Sequence, residues 1–289
     1  MPGLRRPRAL TVTTRRGSVL DGALFPAQAA DTVVIAITGI HGNFYSNPFY
    51  VTFGRTLNRA GIDFVYAQTN DAFNEIPGTN AVTGQEEVIG SWNEDFAFTD
   101  EDLGAWLDYA EAAGYRRIIL AGHSLGANKV IYYLARHHDE RVEHFLLLSP
   151  ANLRHLTNQV TAQERAVVRD YVDRGLGEQR LPFPLMGWVP CRAETARQWL
   201  CDNILDNVHV EADADFSQVA AMRHTGAMLI GTYDRFTYGD PAGFLATIND
   251  HTAAPDANEL VLIQGTGHTY QGKDQEVADA IVRLVRAWA

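Results

Sequence analysis

Lysine is almost missing from this chain: Lys129 and Lys273 are the only two among 289 residues, and arginine supplies the rest of the basic charge. Lys and Arg together number 24 against 35 Asp and Glu, a formal charge of -11. A surface that holds nucleic acid needs clustered cations to neutralise phosphates, so this balance argues against such a partner. Cysteine is as scarce. Cys191 and Cys201 are too few for the disulfide framework of a small secreted domain, and too few for a structural zinc site without other ligands. One bridge between them stays open, and a reducing cytoplasm is the expected home. No apolar run reaches the ~20 residues needed to cross a bilayer. The N-terminal stretch holds Arg5, Arg6, Arg8, Arg15 and Arg16 and lacks the apolar segment of a signal peptide.

What is present is ample core material, with 46% hydrophobic residues in a length that one α/β unit can still accommodate. Six short, nearly all-apolar segments recur: residues 33–38, 64–67, 117–121, 144–149, 227–231 and 259–263. Strands buried on both faces read as continuous apolar runs, which points to a parallel sheet covered by helices. The intervals carry helical spacing, as in Leu103, Trp106, Leu107 and Ala110, or Val277, Ile281, Leu284 and Val285. Residues 9–14 and 18–25 alternate more and flank a turn at Gly17, which predicts an antiparallel edge hairpin. The rhythm breaks at 151–225, a connection too long for bare loop inside such a sheet. It is expected to be an inserted, mostly helical cap, dividing the core into residues 1–150 and 226–289.

The most informative residues are Gly122-His123-Ser124-Leu125-Gly126, which follow an apolar strand and precede the helical pattern ANKVIYYLARHH. A G-x-S-x-G between strand and helix is a nucleophile elbow: small residues let the backbones approach in a tight turn that projects the serine hydroxyl above the sheet. The Leu125 amide, at the positive end of the helix dipole, is placed to donate to an oxyanion. A serine hydroxyl is a poor nucleophile unless an imidazole takes its proton and a carboxylate fixes the tautomer; on a fold with such an elbow the three are expected in the chain order Ser, acid, His. The segment 227–231 runs into Asp234, and 259–263 runs into Gly265-Thr266-Gly267-His268. Both sit at carboxyl ends of strands, where catalytic loops of α/β sheets gather. Ser124, Asp234 and His268 are therefore the expected triad.

Competing residues fit other roles. Asp240 precedes Pro241 and reads as a helix N-cap. His137 and His138 end the helix after the elbow, where a histidine suits the C-terminus, and neighbouring helical positions do not face one metal. The second oxyanion donor is expected from Gly39-Ile40-His41-Gly42-Asn43-Phe44, with the Asn43 amide after Gly42 as the choice. Residues 267–273 satisfy the phosphate-loop spacing G-x-x-x-x-G-K, but Asp274 stands where a magnesium-binding Ser or Thr is required, and too little chain follows for a nucleotide-binding domain.

With GHSLG, the HGN loop, TYDRF and GTGHTY in these positions, the chain resembles the α/β-hydrolase superfamily over nearly its whole length. The resemblance implies an eight-stranded, mostly parallel sheet with its second strand antiparallel, flanked by helices, and hydrolysis without cofactor or metal. The segments GNFYSNPF, GHSLGANKVIYYL and LLLSPAN further resemble a branch that includes siderophore-esterase-like hydrolases. The expected activity is cleavage of a carboxylic ester or lactone of a small organic molecule by a serine hydrolase. Amide, thioester or carbon–carbon bond chemistry on the same triad stays open, as does a binding protein without catalysis. Phe44, His123, Phe183 and Trp188, with Met186 and Trp199, are expected near the substrate, although the cap aromatics serve equally well as packing.

Overall fold

The computed structural model describes residues 5–43 and 45–289. In chain order the strands are β1 (Arg8–Thr13), β2 (Val19–Phe25), β3 (Thr32–Ile37), β4 (Asp63–Ala67), β5 (Ile76–Thr79), β6 (Glu86–Ile89), β7 (Arg117–Ser124), β8 (Val142–Pro150), β9 (Thr225–Gly231) and β10 (Glu259–Ile263). Eight of them form one sheet in the order β1-β2-β4-β3-β7-β8-β9-β10. Pairing is antiparallel at β1/β2 and β2/β4 and parallel from β4 to β10, so the second strand alone runs against the others. This is the α/β-hydrolase arrangement, and the edge hairpin lies where the alternating segments placed it. β5 and β6 pair as a small separate antiparallel hairpin, beyond the expected strands.

Successive side chains of a strand point to opposite faces, and the buried residues divide accordingly. Val33, Ile35 and Ile37 of β3, with Ile118 and Leu120 of β7, pack on one side against α2 (Thr99–Ala112), α3 (Leu125–His137) and α8 (Pro241–Asp250) through Trp106, Val130 and Ile248. Val34, Ala36, Ile119 and Ala121 face the other way, against α1 (Phe49–Arg59) and α9 (Asp274–Ala287) through Phe53, Leu57, Ile281 and Leu284. The central strands β3, β4, β7, β8 and β9 are thus covered on both faces, whereas the edge strand β10, equally apolar, leaves Leu260 and Leu262 exposed.

Between β8 and β9 lie α4 (Leu153–Thr157), α5 (Ala162–Asp173), α6 (Ala193–Leu200) and α7 (Ser217–Ala221). The Thr161 hydroxyl and Glu164 form a reciprocal capping box that starts α5. The middle of this segment is irregular apart from isolated bridges at Arg180↔Arg192 and Leu185↔Val189, because Pro182, Pro184 and Pro190 have no N–H to give a ladder. A separate apolar cluster joins it to the sheet, packing Leu185, Met186, Val189 and Trp199 with Leu125 and Phe236. Cys191 is buried in that cluster and Cys201 is exposed; both thiols are free. Among the described residues no helix is long and apolar enough to cross a membrane.

Candidate active site

Ser124 ends β7 and precedes α3 with φ 57°, a left-handed conformation that a side chain adopts only where the surroundings enforce it. The enforcement is steric. A Cβ at Gly122 would stand 2.2 Å from the Gly126 carbonyl oxygen, and one at Gly126 would stand 2.4 Å from that of Ile37. Only glycine at both positions lets strand and helix close on each other, which is why the motif needs both.

Asp234 follows β9 and His268 follows β10. The Ser124 Oγ lies 2.8 Å from His268 Nε2, and His268 Nδ1 lies 2.9 Å from Asp234 Oδ2. An ionised carboxylate only accepts, so the imidazole proton sits on Nδ1 and Nε2 is free to accept from the serine hydroxyl. Burial favours the protonated Asp234 carboxyl, but the His268 bond, the charge of that ring and the Phe236 amide outweigh it, and the pKa lies below the ordinary value. The loop carrying His268 comes close to β9 because a Cβ at Gly231 would meet the Thr266 oxygen at 2.5 Å. Phe236 packs on the His268 ring with centroids 4.5 Å apart, and Tyr270 anchors the loop from below by donating to the Leu229 carbonyl at 3.1 Å. Asp240 caps α8 by accepting from the Gly243 amide, with Pro241 at the first helical position.

The loop after β3 departs from expectation. The Asn43 amide donates to Ser46 Oγ at 3.1 Å, and the Asn43 side chain braces the loop through its own bonds to Tyr45, Ser46 and the His41 carbonyl. It is a turn-forming residue. The amides of His41 and Gly42 are also engaged, by the carbonyls of Asp71 and Gly39. The residue against Ser124 is Gly39, where a Cβ would stand 2.8 Å from Ser124 Cβ and 3.3 Å from its Oγ. The Ile40 amide comes next, and Ile40 packs on the cluster that contains Leu125. Leu125 is the first residue of α3, so its N–H has no acceptor within the helix. Gly39→Ala is expected to push the loop off Ser124 and cut turnover ~100-fold, the order that a misplacement of about 1 Å costs; steady-state kinetics on a folded variant checks it.

His123 is a second correction. It points to the opposite face of β7 from its neighbour Ser124, 2% exposed, among Phe49, Tyr50 and Tyr270. Its Nε2 donates to the His268 carbonyl at 2.8 Å, while Nδ1 is buried with no hydrogen-bond partner among the described residues. It holds the histidine loop from beneath. Burial, with the neighbouring His268, lowers its pKa to about 3, so it is neutral in the folded chain at pH values where an unfolded histidine takes a proton. A depressed histidine pKa makes stability fall as pH drops from about 6.5 towards about 3. Thermal melts across that range should show the loss, and His123→Gln, which retains a donor but no titration, should flatten it.

Phe183 is half-buried against the cluster around Leu125, and Met186 and Trp199 are buried within it, Trp199 edge-on to Phe96 at 5.2 Å. Trp188 is 40% exposed and stands edge-on to His41 at 5.4 Å. Phe44 lies outside the described residues.

Residues 40–280 match the sequence profile of the alpha/beta hydrolase family. Solved structures with the same fold include Est1E from Butyrivibrio proteoclasticus, 16% identical with a TM-score of 0.62, covering 97% of this chain and 98% of that one. A thermostable carboxyl esterase from Bacillus coagulans is 12% identical with a TM-score of 0.70, over 98% and 99% of the two chains. A monoacylglycerol lipase from Paleococcus ferrophilus is 14% identical with a TM-score of 0.64, over 93% and 99%. No curated protein matches the sequence. These identities speak for fold alone, but the profile spans most of the sequence: the chain belongs to the alpha/beta hydrolase family.

Proposed function

We propose that the protein is a serine hydrolase that cleaves a carboxylic ester or lactone of a small organic molecule through an acyl-enzyme. The observation that carries this reading is the unbroken chain from Ser124 Oγ to His268 Nε2 and from His268 Nδ1 to Asp234 Oδ2, at 2.8 and 2.9 Å. Ser124 Oγ attacks the carbonyl carbon as His268 Nε2 takes its proton. The amides of Leu125 and Ile40 hold the oxyanion, Ile40 replacing Asn43 in that role. His268 then passes the proton to the departing alkoxide, and the acyl group stays on Ser124. Water attacks in turn, its proton going to His268, and the acid leaves with Ser124 restored. Asp234 keeps the tautomer and stabilises the imidazolium. One preorganised oxyanion donor contributes ~3 to 4 kcal/mol to the transition state. No step needs a metal or cofactor.

Residues 151–225 serve as a cap over this site, between core segments 1–150 and 226–289, with Phe183 and Trp188 facing the substrate entrance. The half-burial of Phe183 against the cluster that contains Leu125 and the exposure of Trp188 beside His41 support that assignment. A panel of esters, lactones, thioesters and amides with matched acyl groups tests the function. Esters or lactones should be cleaved with the highest kcat/KM; faster cleavage of the amides or thioesters would overturn the bond assignment, and no cleavage of any kind would favour a binding protein.

A further inference from the structure

Lys129 lies on α3, the helix that starts at the nucleophile, and it is 1% exposed. Its ammonium donates to Glu94 Oε1 at 2.7 Å and Thr69 Oγ1 at 3.0 Å, and pairs with Asp71 Oδ1 at 3.0 Å. Each carboxylate leads elsewhere through its own backbone. The Asp71 carbonyl accepts from the His41 amide at 2.8 Å, in the loop that carries Gly39 and Ile40. The Glu94 carbonyl accepts from the Thr195 hydroxyl of α6 at 2.8 Å, and two residues on, the Phe96 amide donates to Gln198 of the same helix at 2.9 Å. Three parts of the site therefore meet at one buried cation.

We propose that Lys129 is a positioning residue for the hydrolysis: through Asp71 and Glu94 it fixes the oxyanion loop and α6 relative to Ser124. This rests on the serine-hydrolase reading above. A buried ion cluster is a costly way to gain stability, since apolar replacements of similar volume often do as well, so its use at this junction calls for a role in geometry. One ammonium also faces two carboxylates, and Asp71 Oδ2 and Glu94 Oε2 have no hydrogen-bond partner among the described residues. Burial, reinforced by Asp71 and opposed by Lys129, raises the Glu94 pKa to about 8. The other titratable groups near the cluster are Asp102, which holds Arg16 at 2.5 Å and the Asn70 amide at 2.8 Å, the Tyr66 phenol, and the imidazole of His41, whose pKa burial lowers. Below about pH 8 Glu94 keeps its proton and the Lys129–Asp71 pair is balanced; above it Glu94 competes for the ammonium and the loop loosens. A raised carboxyl pKa also means that stability declines as pH rises from about 4.5 to about 8, and does not recover above that.

The test compares wild type, Lys129→Met/Asp71→Asn/Glu94→Gln and Glu94→Gln, with folding followed by thermal melts. The readouts are steady-state hydrolysis of p-nitrophenyl acetate and the rate at which a fluorophosphonate labels Ser124. The triple variant removes the charges together and avoids stranding a buried carboxylate. It is expected to fold and to lose ~10- to 100-fold in kcat and in labelling rate, with KM little changed. Glu94→Gln cannot ionise, so its profile should stay level over about pH 7 to 9, where wild-type kcat falls. A folded triple variant with wild-type kcat and labelling rate overturns the proposal. Should the triple variant not fold, the pH profile decides, and an identical fall in Glu94→Gln and wild type overturns it. Wild-type protein that neither turns over nor labels rejects the hydrolase reading itself, and this inference with it.

Discussion

Ser124→Ala is expected to lower kcat/KM toward an ester by ~10⁴- to 10⁶-fold, the scale seen when a triad nucleophile is removed while the oxyanion donors stay. The methyl group leaves His268 Nε2 with no hydroxyl to deprotonate, so no acyl-enzyme forms. Structure should barely change, because the left-handed turn at φ 57° is set by the close approaches at Gly122 and Gly126, which the substitution does not touch. Substrate binding and the melting temperature should stay near wild type. Pre-steady-state kinetics separates the outcomes: the wild type gives a burst where deacylation is slow, and the variant gives none. Residual turnover above ~1% in a clean preparation would mean that another group performs the attack.

Asp234→Asn is expected to cost ~10⁴-fold in kcat by a different route. Asp234 Oδ1 accepts from the Phe236 amide at 3.0 Å, so an asparagine keeps its carbonyl oxygen there and turns its NH₂ toward His268 Nδ1. Nδ1 must then accept, which moves the ring proton to Nε2 and aims it at Ser124. The base is lost although the atoms hardly move. KM should be nearly unchanged, and the labelling rate with a fluorophosphonate should fall in parallel with kcat. A variant within ten-fold of wild type would show that the carboxylate does not set the tautomer.

The centre of the sheet is legible because its strands are buried on both faces, and a segment such as 144–149 has no polar alternation to confuse with anything else; β10 is apolar in sequence yet largely exposed at the edge. The positions of Asp234 and His268 followed from strand ends, since a loop that leaves the carboxyl edge of a parallel strand arrives at the same rim as the elbow. The loop 39–44 does lie against Ser124, at Gly39, but the choice of Asn43 within it does not hold, because its amide is taken by Ser46 Oγ. The decisive signal is distance from the strand: β3 ends at Ile37, so Gly39 reaches Ser124 and Asn43 is already in the next turn. His123 is among the residues expected near the substrate, yet adjacent strand residues point to opposite faces, so it does not share the Ser124 side of β7. Lys129 left no trace in the pattern, since a lysine among apolar helical residues reads as a stem reaching for solvent, and its partners Asp71 and Glu94 lie in separate loops. The β5/β6 hairpin is mostly exposed, so it carries little hydrophobic periodicity.

Reaction of the intact protein with a fluorophosphonate, followed by mass spectrometry of the whole chain and its peptides, tests the central assignment most directly. A single added phosphonyl group on the peptide containing Ser124, absent in Ser124→Ala and slowed in Asp234→Asn, is the predicted result. An unlabelled wild-type chain, or a label on any other residue, would contradict it.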